Sequence, residues 1–133
     1  MTTESPLMKD GAQCVAAANY WNPGVALYGP QGSGQFLLVS ISAARTVSLN
    51  TAAGGICYGV LQNTPAAGQA ADVAISGITK VVVGAAVTAG QELQSDTNGR
   101  AITFSSGRKV GMALEAAAGA NAMIAMLIYT PNG

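Results

Sequence analysis

Histidine is missing from this chain. That removes the commonest general base and the commonest metal ligand. Charge is scarce: 9 % of the 133 residues, six basic against six acidic. A neutral chain offers no electrostatic footprint for nucleic acid. Soluble surfaces usually carry about a quarter to a third charged residues, so this scarcity points to a neutral surface rich in Ser, Thr, Gln and Asn or, the preferred reading, to a surface that largely meets other protein. Aromatic residues make up only 5 %. Cysteine is limited to Cys14 and Cys57, with no Cys-x-x-Cys pair. No metal site is expected, and both thiols read as reduced, half-buried small apolar residues. The longest apolar run, Ala122 to Tyr129, falls far short of the ~20 residues of a membrane helix. Met1 to Gly11 holds Glu4, Pro6, Lys9 and Asp10 without an apolar stretch, so no signal peptide is expected. The expected setting is a cytoplasm, or a particle assembled there.

What the chain does contain is Ala, 17 glycines and a hydrophobic share of 50 %. Short apolar segments recur at roughly ten-residue spacing, punctuated by Gly, Pro and Asn-Gly, the pattern of a compact all-β domain. Strands are expected over Val25 to Tyr28, Phe36 to Ile41, Thr46 to Leu49 and Ile56 to Leu61. Gly59 reads as a possible bulge in the last of these. Further strands are expected at Val73 to Ile75, Ile78 to Val83, Leu93 to Ser95 and Ala101 to Phe104. The last two flank Asp96-Thr-Asn-Gly99, the clearest hairpin, because Asn-Gly favours positive φ. Val110 to Leu114 and Met123 to Ile128 complete the set as strand-turn-strand. Met123 to Ile128 is apolar on both faces, as expected of a strand buried on both sides or at an interface.

Residues 1 to about 24 show no sustained period and read as an extended N-terminal arm, with 25–133 as one β-rich domain. Tyr20-Trp21 is the only dense aromatic pair, and it lies in this arm. Such a pair usually docks on its own domain or on a partner. The candidate protein–protein interface is therefore Tyr20, Trp21, Met123, Ile124, Met126 and Ile128.

Catalysis finds little support. Gly29-x-x-x-x-Gly34 has P-loop glycine spacing, but Gln35 and Phe36 stand where Lys and Ser/Thr are needed to hold phosphate and magnesium. Asp72, Glu92, Asp96 and Glu115 are scattered over turns and strand ends, so no acid–base pair is fixed. A Ser or Thr nucleophile needs a base, and only Lys80 and Lys109 are nearby candidates. No catalytic residue, cofactor site or metal ligand is assigned. Arg100, Arg108 and Lys109 form a basic group too small for nucleic-acid affinity.

The order of the pieces resembles the capsid cement, or head decoration, proteins of tailed bacteriophages. The residues that carry the resemblance are Gly59-Val-Leu-Gln-Asn63, Pro65, Gly68, Val73, Gly77, Lys80-Val81 and Gly84. They continue with Ala89-Gly90, Asp96, Gly99-Arg-Ala101 and Gly111-Met-Ala-Leu-Glu-Ala116. The resemblance implies a small β-barrel or sandwich and a non-enzymatic structural protein of the virion. Such a protein binds the outside of the expanded capsid and cements neighbouring major capsid protein subunits. It implies a homotrimer, no direct nucleic acid, no membrane, and assembly in the bacterial host's cytoplasm. A carbohydrate- or surface-binding β-module, such as an adhesin or tail accessory protein, is the alternative; a shallow aromatic patch around Tyr20 and Trp21 would mark it.

Overall fold

The computed structural model describes residues 14–20 and 27–129. Ten short strands form two five-stranded sheets that divide the chain in half. The first holds β1 (Val15–Ala16), β2 (Leu38–Ala43), β3 (Thr46–Leu49), β4 (Gly59–Leu61) and β5 (Val73–Ala74), in the order β1-β3-β2-β4-β5. The second holds β6 (Ile78–Val82), β7 (Glu92–Ser95), β8 (Ala101–Thr103), β9 (Gly111–Ala113) and β10 (Met123–Ile128), in the order β6-β10-β9-β7-β8. All pairs are antiparallel except β1 with β3. One 3-10 turn, Pro30–Gly32, is the only helical element among the described residues. The all-β barrel or sandwich expected from the sequence is what the chain adopts.

Each sheet curls toward closure. In the first, β1 pairs with β3 on one side and meets residues 69–71 on the other. There Ala16 N–H donates to Gln69 O at 2.9 Å and Ala71 N–H donates to Cys14 O at 2.9 Å. Residue 71 leads directly into β5, so both edges of the sheet converge on one segment. In the second, Val83 bridges Ala101 in parallel, which brings the end of β6 beside β8.

The described part of the expected arm, residues 14–20, is thus an integral piece of the first sheet. Ala17 N–H donates to Val47 O and Tyr20 N–H to Pro65 O, both at 2.8 Å. No periodicity announces this segment, because its partners are distant in sequence and are met through the backbone. Residues 1–13 lie outside the described residues.

Two apolar clusters form the core. One lies between the sheets and joins Leu38 and Val60 of the first to Val81, Leu93, Ala113, Ile124 and Met126 of the second. The other fills the curl of the first sheet with Cys14, Ala16, Tyr20, Val39, Val47, Leu61 and Ala71. Each fully buried Leu, Val or Met contributes about 1.5–3 kcal/mol relative to exposure. Val47 faces inward as its alternation requires, and Leu49 packs against the second cluster from a half-buried position.

Three local expectations need correction. Leu27 and Tyr28 belong to no strand; Val25 and Ala26 lie outside the described residues. Phe36 does not begin β2, because its φ is +64°. It acts as a joint: its N–H donates to Leu61 O in the first sheet at 2.7 Å, and its carbonyl accepts Val82 N–H from the second at 3.0 Å. Gly59 is not a bulge. It pairs in register with Val39, and a Cβ there would collide with the Ala74 carbonyl. The glycine is needed for close approach of β5. The bulge falls instead in β2, between Ile41 and Ala43.

Candidate interaction surface

The two faces of β10 separate the residues singled out in the sequence. Ile124 and Met126 point into the inter-sheet core, and Ile128 packs against it half-buried. These three belong to the protein's own interior rather than to a free surface. Met123 is on the opposite face and 45 % exposed, and Leu127, on the same face beyond Ala125, is 38 % exposed. The apolar character of both faces therefore has two causes: one face is core, the other is surface.

Strand register extends that outer face across three strands. Leu127 pairs with Ile78 of β6 and with Met112 of β9. Ala125 pairs with Lys80, and its carbonyl accepts the N–H of Leu114 at 2.9 Å. Ile78 is 67 % and Leu114 39 % exposed; Met112 is half-buried. The polar border is already engaged. Glu92 pairs with Lys109 at 3.0 Å and accepts the Tyr129 hydroxyl at 3.1 Å. The Lys109 bond, reinforced by Tyr129, holds the Glu92 carboxyl below its ordinary pKa. Glu115 Oε1 accepts Ala125 N–H at 2.8 Å. Lys80 is exposed within the patch and makes no ion pair among the described residues. Alternation alone could have flagged Ile78, Met112 and Leu127, but only register shows that they share a face.

Tyr20 is placed elsewhere. It is buried in the second cluster, and its hydroxyl oxygen accepts Leu49 N–H at 3.0 Å. Its ring is therefore no stacking platform. Burial raises its pKa above the ordinary value, with the Leu49 bond opposing. Trp21 lies outside the described residues.

The possible chemical groups stay apart. Asp96 is a turn residue: Oδ1 accepts the N–H groups of Asn98 and Arg100, and Oδ2 pairs with Arg100 Nε at 3.0 Å. Arg100 also reaches Asn121 Oδ1 at 3.0 Å and stacks its guanidinium 4.1 Å above the Tyr28 ring. The Gly29–Gly34 loop leads through Phe36 into β2, without a helix to receive phosphate. Both cysteines are free. Among the described residues no three His, Cys, Asp or Glu gather as a metal site, and no helix is long and apolar enough to cross a membrane.

The described residues thus form an all-β protein of two curled sheets, the second with an apolar outer face. The sequence profile of the phage cement proteins matches residues 33–128, and the chain belongs to that family of phage capsid structural proteins. The fold is similar to the N base of the head fiber gp8.5 of bacteriophage phi29, with a TM-score of 0.63 at 17 % identity. That likeness covers 88 % of this chain and 91 % of the other. No curated protein sequence matches the chain.

Proposed function

We propose that this protein binds the outer surface of a phage capsid and cements neighbouring major capsid protein subunits, stabilising the expanded head. The observation that carries the reading is the family match, which spans β2 to β10 and so nearly the whole double-sheet fold. The scattered, separately engaged polar groups support a structural role without catalysis. The low charge and the exposed apolar sheet face support extensive contact with protein. On the shell the protein acts as a homotrimer, and weak contacts repeated over the lattice supply the stabilisation by avidity. Its location is the virion surface, reached by assembly in the host cytoplasm.

The test is electron microscopy of expanded capsids incubated with the purified protein. The expected result is density in trimeric clusters at regular lattice positions, with capsids that resist heat better than undecorated ones. Absence of ordered density on the shell would refute the reading.

A further inference from the structure

Four of the large exposed apolar residues, Ile78, Leu114, Met123 and Leu127, fall on one face formed by β6, β10 and the chain just past β9. The others, Tyr28, Ile41, Ile56 and Ile75, lie on separate segments. Among the described residues Lys80 makes no ion pair; at the border Glu92 pairs with Lys109, and Glu115 accepts the Ala125 N–H. Three strands at about 4.8 Å and three outward side chains along each at about 6.8 Å give a face on the order of 300 Å². A stable pair of proteins needs about 800 Å² per partner. This patch alone is therefore too small to hold two copies together in solution. In the proposed homotrimer three linked copies of such a contact engage one large partner together, so a small face suffices.

We propose that this face seats on the shell. The matching surface of the major capsid subunit is flat, apolar and carries a carboxylate that meets Lys80. The inference rests on the cementing reading above and names the surface that performs it.

The full-length protein and four variants are to be compared in co-sedimentation with undecorated expanded capsids. Leu127→Asp, Met123→Asp and Lys80→Glu alter the face; Ile41→Asp, on β2 of the first sheet, is the control. Melting curves and sedimentation velocity are recorded for each. The expected result is capsid binding at least about tenfold weaker for the three face variants. Ile41→Asp binds as the parent does, and association state and melting are unchanged throughout. If Leu127→Asp or Met123→Asp fails to fold, Lys80→Glu carries the test, because Lys80 already stands in solvent. Face variants that bind like the parent overturn the inference and leave the cementing reading intact. A face variant that sediments as a smaller species than the parent shows that a second copy covers the face, which also overturns it. A parent protein that binds no capsid defeats the cementing reading and, with it, this one.

Discussion

The hydroxyl oxygen of Tyr20 accepts the main-chain N–H of Leu49 at 3.0 Å, tying a residue of the expected arm to β3. The tyrosine ring lies against Gly34, where a Cβ would sit 2.9 Å from it. Tyr20→Phe removes the acceptor and is expected to cost about 1 kcal/mol. Tyr20→Ala also empties part of the second core cluster and is expected to cost about 3–5 kcal/mol. Thermal melting distinguishes the two. Equal melting temperatures for parent and Tyr20→Ala would show that the segment 14–20 does not stabilise the domain.

Gly99 has φ +76°, and a Cβ there would stand 3.0 Å from Leu38 O and 3.2 Å from Leu49 Cδ2. Its carbonyl accepts Leu38 N–H at 2.7 Å, so the hairpin tip is also an inter-sheet contact. Gly99→Val should cost about 2 kcal/mol through backbone strain and crowding. Gly119→Ala, with open space around its Cβ, should leave stability unchanged or slightly improved. Chemical denaturation of both variants gives the comparison, and a similar midpoint for the two would contradict it.

Asn50 links the sheets through its side chain. Its Nδ2 donates to Ser95 Oγ and to Ala52 O, each at 2.7 Å, and its Oδ1 accepts the Ser40 hydroxyl at 3.0 Å. Asn50→Ala leaves buried polar groups without partners and should cost about 2 kcal/mol. A double-mutant cycle with Ser95→Ala should show coupling of at least about 0.5 kcal/mol. Strict additivity would mean that the Asn50–Ser95 bond contributes nothing.

Burial pushes the Cys57 thiol up to about 11, against hydrogen bonds from Ser95 and Ser40 that lower it. A folded value above the ordinary 9.0 means the folded state holds its proton longer. The associated stability is complete below about pH 9 and is lost as pH rises through about 11. Cys57→Ala should flatten that part of the stability profile. Melting temperatures from pH 8 to 11 check the sign. A parent that gained stability relative to the variant over this range would reverse it. Slow reaction of Cys57 with a thiol reagent at pH 8 is expected from the same protonation.

Legibility in the sequence followed locality. Asp96 to Gly99 was readable because Gly99 and the Asp96 side chain define the turn within five residues. The strand-turn-strand at the C-terminal end was readable because Gly111 and the Gly119–Asn121 stretch interrupt any long helix. Phe36 misleads because apolar character suits a strand, whereas its positive φ and one hydrogen bond to each sheet make it a joint. β1 was invisible because a two-residue strand of Val and Ala has no period, and its partners lie near residues 46 and 70. In the candidate surface, apolar character alone does not separate Met123, which is exposed, from Ile124 and Met126, which face the core.

Composition and punctuation settle that this chain is all-β and that its strands are short. These are local properties: turn residues and β-branched runs act wherever the chain goes. The pairing order, the closure of the first sheet by residues 14–17, and the outer face shared by Ile78, Leu127 and Met112 belong to the tertiary structure. Alternation says that a strand has two faces, but only packing against Leu38 and Val60 decides which face of β10 is core and which stays exposed.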